Sequence, residues 1–264
     1  MRAPCGEPSM DAVLLVDPNA LAHRGPVHLP GVIDAATLAS VEQAIWEHLA
    51  GRGVRRPDPT TWPAGVVSGL QPLTRRGGLQ ALTTPAILEI RAQILRSTAS
   101  SPTLVWAPLI RFPEPAGPWR LPHKVWHLDV PGRGSPVAHQ TARLFVLLSD
   151  IGHRGGATLA VEGSAALIRR IIAESPDHDA GSSAEVRATL RRRYEWFDLL
   201  MSPRDLFDDA RLCEGEEVDG VVCRVREMTG LAGDVWCMDQ WTLHNGSTNS
   251  SDAPRLAATL FANA

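Results

Sequence analysis

Residues 144–164 read LFVLLSDIGHRGGATLAVEGS. An apolar run of strand length ends at Ser149-Asp150, and Gly155-Gly156 then supplies a turn. A second short run, 157–161, ends in the turn Glu162-Gly163-Ser164. Strand, glycine turn, strand, turn is the repeating grammar of an antiparallel β protein. The glycines do not follow the GxGxxG or GKS/T patterns, so the stretch is not a phosphate loop. Short runs rich in Val, Leu, Ile or aromatics recur at 103–111, 123–130, 221–226, 234–238 and 255–262. With 142–149 and 157–161 they make seven, which points to a β-sandwich or barrel.

The segments around these strands have a helical pattern. Asp34 is placed to cap a helix over about 35–50, with Leu38, Val41, Ile45 and Leu49 as its buried stripe. Thr84 as N-cap and Pro85 in the first turn open a second helix to about Leu95. Residues 51–80 show little periodicity and read as irregular loop, and 1–10 are expected to be disordered. Between the strand groups, 164–213 is helical. Ser182 and Glu185 form a capping box, and Val186, Leu190, Tyr194, Phe197 and Met201 continue one face until Pro203. The expected architecture is therefore mainly β with flanking helices in one domain. Residues 11–100 give helical support, and the β core of 103–262 carries a helical insertion at 164–213.

Composition narrows the function. The chain has 264 residues, is 44% apolar and has a net charge near −3, so no basic field marks it for nucleic acid. Its four cysteines contain no CxxC, which excludes a zinc ribbon and suits reduced thiols. Met1–Met10 has no apolar signal-peptide core, and no run approaches the roughly 20 residues that span a bilayer. The expectation is a cytoplasmic protein, monomer or homodimer, acting on a small molecule without membrane or nucleic-acid partners. The sequons at Asn245 and Asn249 carry no weight without a secretion signal.

Three residues suggest a metal. In HKVWHLDV (123–130), His127 and Asp129 are two apart, which in a strand places both on one face. His244 follows the strand of GDVWCMDQWTLHNGSTN (233–249). Two histidines and a carboxylate are the ligands of the facial triad, which leaves open positions on iron. Each residue alone also reads as an ordinary polar group with a partner. Arg255 opens the apolar run RLAATLFA, eleven residues after His244. An arginine entering a core strand needs a buried anion, either an internal acid such as Asp239 or Asp252, or a ligand carboxylate such as that of 2-oxoglutarate.

Taken in order, the HxD, the Gly-Gly strand with its Glu162-Gly163-Ser164 turn, the distal His244 and Arg255 resemble the phytanoyl-CoA dioxygenase family. The likeness covers about 103–164 and 230–262. It implies a double-stranded β-helix (jelly roll, cupin-like) using Fe(II), 2-oxoglutarate and O2 to hydroxylate a C–H bond. It also implies that His127, Asp129 and His244 hold iron and that Arg255 binds the distal carboxylate. Two departures stand out. The histidine ending the family's P-G-S-H turn is Ala165 here, and the polar residue often found two places after the distal histidine is Gly246. A contact to the co-substrate is therefore expected from Arg111, Thr158 or Ser247 instead. Asp129 is present where halogenating relatives carry a small residue. Arg133, in the loop PGRGSP, is placed to touch substrate, and Trp241 with Trp106, Trp119, Trp126 and Trp236 offers apolar walls or ordinary core. The run Arg191-Arg192-Arg193 reads as an anion contact or a solvated helix face. Rival readings are a cupin-like metalloenzyme without 2-oxoglutarate and a non-catalytic β-barrel binding protein.

Overall fold

The computed structural model describes residues 16–96, 104–114, 118–129, 142–175 and 181–262. The expectation for 1–10 and the Arg133 loop fall outside these residues. An N-terminal layer comes first: α1 (Pro18–His23), β1 (Val27–Leu29), α2 (Ala35–Ala50), β2 (Gly65–Val66), α3 (Gln71–Arg75) and α4 (Pro85–Leu95). Then follow β3 (Ala107–Phe112), β4 (Ala142–Leu147) and β5 (Thr158–Glu162). The helical insertion comprises α5 (Ser164–Glu174), α6 (Ser183–Arg193), α7 (Glu195–Leu200) and α8 (Leu206–Glu214). The chain closes with β6 (Glu216–Val218), β7 (Val221–Glu227), β8 (Val235–Asp239), β9 (His244–Gly246) and β10 (Arg255–Ala262).

The strands form two antiparallel sheets, one ordered β1-β8-β4-β10-β3-β2 and the other β6-β7-β5-β9. This is the jelly-roll arrangement. Side-chain alternation along each strand sorts residues into three layers. Leu144, Val146, Leu256, Ala258 and Leu260 face outward and pack beneath α2 and α4, with Val41, Ile45, Ile87 and Ile90. Leu159, Val161, Cys223 and Val225 face outward from the smaller sheet onto the insertion, with Leu167, Val186, Leu190 and Phe197. Between the sheets lie Phe145, Leu147, Ala160, Met238 and Ala257. Both faces of the central strands are covered, which explains why β4 and β10 read as nearly unbroken apolar runs.

The helix boundaries follow their caps. Asp34 accepts from Thr37 N–H and Thr84 from Ile87 N–H, while Ser182 and Glu185 complete the capping box. Three expectations need correction. Residues 123–129 form no strand: the segment meets the sheet through one bridge, His127 to His244. The helix expected to run through Met201 breaks at Tyr194, which turns to extended backbone (φ −131°, ψ 119°) so that its hydroxyl reaches Asp219 at 3.2 Å. The stretch 51–80 is not all loop, because it contains β2, α3 and a 3-10 turn at Pro59–Thr61. No described helix is long and apolar enough to cross a membrane.

Candidate metal centre

The two histidines meet through the backbone. His127 N–H donates to His244 O and His244 N–H to His127 O, each at 3.0 Å, so their rings leave the same side with centroids 4.2 Å apart. Each ring is oriented the same way: Nδ1 of His127 lies 3.0 Å from Val125 O, and Nδ1 of His244 lies 3.0 Å from Thr242 O. A carbonyl takes a proton from Nδ1, which leaves Nε2 as the lone-pair atom in both rings. Presenting the Val125 carbonyl takes a left-handed backbone (φ 66°), a strained state for a β-branched residue and one that persists only where the surroundings impose it. Asn245 adds a tie, donating from Nδ2 to Lys124 O at 2.6 Å.

Asp129 completes the cluster. Its ligand atom and those of the two rings lie within 4.8 Å of one another, and His244 Nε2 is 3.2 Å from Asp129 Oδ2. Burial opposes ionisation of Asp129, but the His244 ring and the Arg143 guanidinium outweigh it and hold its carboxyl well below the usual range. Burial, and then the neighbouring His244, keep the His127 imidazolium below its usual value. The Nδ1–carbonyl bonds thus leave both Nε2 atoms and the Asp129 carboxylate as the donor set a divalent metal requires. Ser164, at the E-G-S turn, supports this from behind. Its buried hydroxyl accepts from Leu243 N–H at 2.9 Å and donates to Val161 O at 2.7 Å, fixing the residue before His244.

His127 and His244 line a cavity of about 190 Å³, whose other walls include Arg111, Arg143, Thr158, Gly246 and Arg255. Arg255 is 8% exposed and donates to Thr158 Oγ1 at 2.9 Å, and its Nε has no partner among the described residues. Neither acid considered as a partner serves it. Asp239 pairs instead with Arg169 at 2.6 Å, and Asp252 forms no ion pair among the described residues. Burial, and then Arg111, push the Arg255 guanidinium down to about 10. Arg111 sits opposite Arg255 in the register of β3 and β10 and is balanced by Glu114 at 2.6 Å. A side chain added at Gly246 would meet Arg111 Nη1 first, at 3.6 Å, so this guanidinium occupies the space beside the residue lacking a polar group.

Other expected site residues lie elsewhere. Ser247 is fully buried, gives its hydroxyl to Ala157 O at 2.9 Å, and is not on the cavity wall. Trp241, 4% exposed, belongs to the core under the insertion, as does Trp126. Trp106 lies beneath the N-terminal helices, and Trp236 stacks on His28 with centroids 4.6 Å apart. Arg191 and Arg193 are exposed and pair with Asp198 and Glu174, so that run is a solvated face. Asn245 and Asn249 are buried and hydrogen-bonded, out of reach of glycosylation. Arg143 and Ser164 were not singled out as site residues by sequence. Arg143 had a signal available, because it opens a strand as Arg-Leu followed by apolar residues, just as Arg255 does.

No family model matches the sequence, and no curated protein matches it. Solved structures do. AviO1 from Streptomyces viridochromogenes Tue57 is 18% identical with a TM-score of 0.51, over 94% of this chain and 95% of that one. SnoK, a non-heme alpha-ketoglutarate-dependent carbocyclase from nogalamycin biosynthesis, is 19% identical with a TM-score of 0.51, over 92% and 81%. The epimerase SnoN, in complex with Fe3+, alpha-ketoglutarate and nogalamycin RO, is 18% identical with a TM-score of 0.50, over 92% and 82%. At such identities the likeness establishes the fold, which is that of jelly-roll proteins of this type.

Proposed function

We propose that this chain is a single-domain, non-haem Fe(II) and 2-oxoglutarate-dependent oxygenase of the phytanoyl-CoA dioxygenase type. It hydroxylates an unactivated C–H bond of a small, specialised-metabolite-like substrate. The observation that carries the proposal is a two-histidine, one-carboxylate cluster whose histidines share a cavity with a buried arginine that has no acid partner among the described residues. A buried cation without an anion is unfavourable in the free protein and becomes favourable once a carboxylate enters. A metalloenzyme with no carboxylate co-substrate gives Arg255 no such partner. SnoK and SnoN, named for alpha-ketoglutarate, support the reading from the side of the fold.

In this reading His127 Nε2, His244 Nε2 and the Asp129 carboxylate would hold Fe(II), and the Nδ1–carbonyl bonds keep both rings aimed. Arg255, oriented by Thr158 Oγ1, binds the distal carboxylate of 2-oxoglutarate, and Arg111 adds charge near Gly246. Iron with 2-oxoglutarate and O2 supplies C–H oxidation coupled to decarboxylation to succinate and CO2. The protein's share is to bind, orient and exclude water. Leu109, Val66 and Phe145 give the cavity an apolar side where a C–H bond can lie.

The test is anaerobic titration of Fe(II)-loaded protein with 2-oxoglutarate, following the visible charge-transfer absorption of the chelate. Absorption that is lost in His127→Ala, and that requires far more 2-oxoglutarate in Arg255→Ala, is the expected result. Metal-loaded wild type without any such absorption moves the protein to the 2-oxoglutarate-independent or non-catalytic class. Product analysis then reads hydroxylation against other outcomes, since carbocyclase and epimerase activities occur on this fold.

A further inference from the structure

Arg143 lines the cavity and pairs with Asp129 of the cluster. It lies near the start of β4, opposite Phe261 of β10, and points between the sheets with Phe145 and Leu147. Its guanidinium is held on every side. Nε donates to Thr259 Oγ1 at 2.9 Å, Nη1 donates to Asp129 Oδ2, and the group lies 4.5 Å from the Phe261 ring centroid and 5.6 Å from that of Phe145. The Thr259 hydroxyl is itself fixed, donating to Leu144 O at 2.9 Å.

The three metal-binding groups are not secured in the same way. His127 and His244 are locked to each other through paired backbone bonds. Asp129 lies beyond that bridge, in a segment without regular secondary structure. Its carboxylate is held by side chains instead, with Arg143 and Asp129 only 16% and 11% exposed. A buried ion pair adds little net stability over an apolar pair, so its value lies in the geometry it specifies.

Resting on the metal-centre reading above, we infer that Arg143 is a positioning residue. It fastens the Asp129 carboxylate to the larger sheet so that it meets the two rings as the third ligand. It also balances that carboxylate's charge, as Glu114 balances Arg111, which leaves Arg255 as the uncompensated cation of the cavity among the described residues. The side chain acts on the carboxylate through a charge-assisted bond and is itself aimed by Thr259 and two aromatic rings.

The test is Mn(II) binding, read by the electron paramagnetic resonance of free metal, on wild type, Arg143→Gln, Arg143→Lys and Thr259→Val. Thermal unfolding of the metal-free proteins runs alongside. Arg143→Gln is expected to weaken Mn(II) by about 10- to 100-fold, the usual effect of losing a partner of a metal ligand. Arg143→Lys should recover much of this, because a cation returns to Asp129 although the stacking is lost. Thr259→Val keeps the ion pair but removes its brace, and should weaken Mn(II) by a smaller factor even if Arg143→Gln fails to fold. Folded Arg143→Gln and Thr259→Val with wild-type Mn(II) affinity, whatever their unfolding temperatures, overturn the role of Arg143 alone. A wild type that binds no Mn(II) removes the metal centre itself, and this inference with it.

Discussion

Replacing Arg255 with methionine should make the protein more stable and unable to bind its co-substrate. The guanidinium is buried against Arg111 with no acid partner among the described residues, and its fall to about 10 corresponds to roughly 3 kcal/mol against the charged form. Methionine fills similar space without charge. It forfeits the bond to Thr158 Oγ1, worth about 1 kcal/mol. The net gain of about 2 kcal/mol should raise the unfolding temperature by about 4–8 °C in a chain of this size. The pH dependence follows from the sign. The folded-state value of this cation lies below its unfolded value, so the penalty is fully present at neutral pH. It fades as the pH rises through about 10 toward the unfolded value, and Arg255→Met should lose its advantage over the same range. 2-Oxoglutarate at 100 times its Kd, with Mn(II) present, should stabilise wild type by about 2.7 kcal/mol and leave the variant unmoved. Differential scanning calorimetry with and without 2-oxoglutarate reads both effects. A variant that unfolds earlier than wild type without ligand, or is still protected by 2-oxoglutarate, refutes the account of Arg255 as a cation awaiting a carboxylate.

Other perturbations test the surroundings. His127→Ala should abolish Mn(II) binding yet leave the far-UV dichroism of the metal-free protein unchanged, since the bridge to His244 uses only the backbone. Ser164→Ala strips the buried Leu243 N–H of its acceptor and should cost about 1–3 kcal/mol in urea unfolding, with weaker metal binding through His244. Gly156→Ala demands a left-handed alanine (φ 78°) whose Cβ would sit 2.9 Å from Asn249 Cβ. It should destabilise by about 1–3 kcal/mol and, by shifting Asn249, raise the 2-oxoglutarate needed for saturation. Ser182→Ala removes the capping box of α6 and should cost about 1 kcal/mol without touching metal affinity.

Much of this was legible in the chain because local chemistry and tertiary context agree. Asp34, Thr84-Pro85 and Ser182 with Glu185 announce helices whose caps form as expected. The strands at 142–149, 157–161, 234–238 and 255–262 appear with small shifts of their ends, because apolar runs of that length have few other uses. The misses have physical causes. HKVWHLDV has strand composition, but Val125 is turned left-handed to offer its carbonyl to His127, and propensity cannot anticipate a turn imposed by a site. The His127 and Asp129 side chains lie together without the strand that suggested their grouping. Strands β1, β2, β6 and β9 are two or three residues long, too short for alternation to register. Trp241 and Ser247 lie close in sequence to His244, yet one turns into the helical core and the other binds a backbone carbonyl. Nearness along the chain says little about which way a side chain leaves it.

Strand β10 carries two messages on alternate positions. Arg255, Ala257, Thr259 and Phe261 address the cavity and its ion pairs, and Leu256, Ala258 and Leu260 address the helices behind. It pairs with β3 on one side and β4 on the other, where Arg111 and Arg143 obey the same parity. A single-residue insertion or deletion here would exchange the two messages, driving a guanidinium into the helix-facing layer and a leucine into the ligand cavity. Chemistry and folding would then fail together. Length variation in such a chain belongs instead to connections such as those between the helices of the insertion, where added residues alter the surroundings of the site and leave its frame intact.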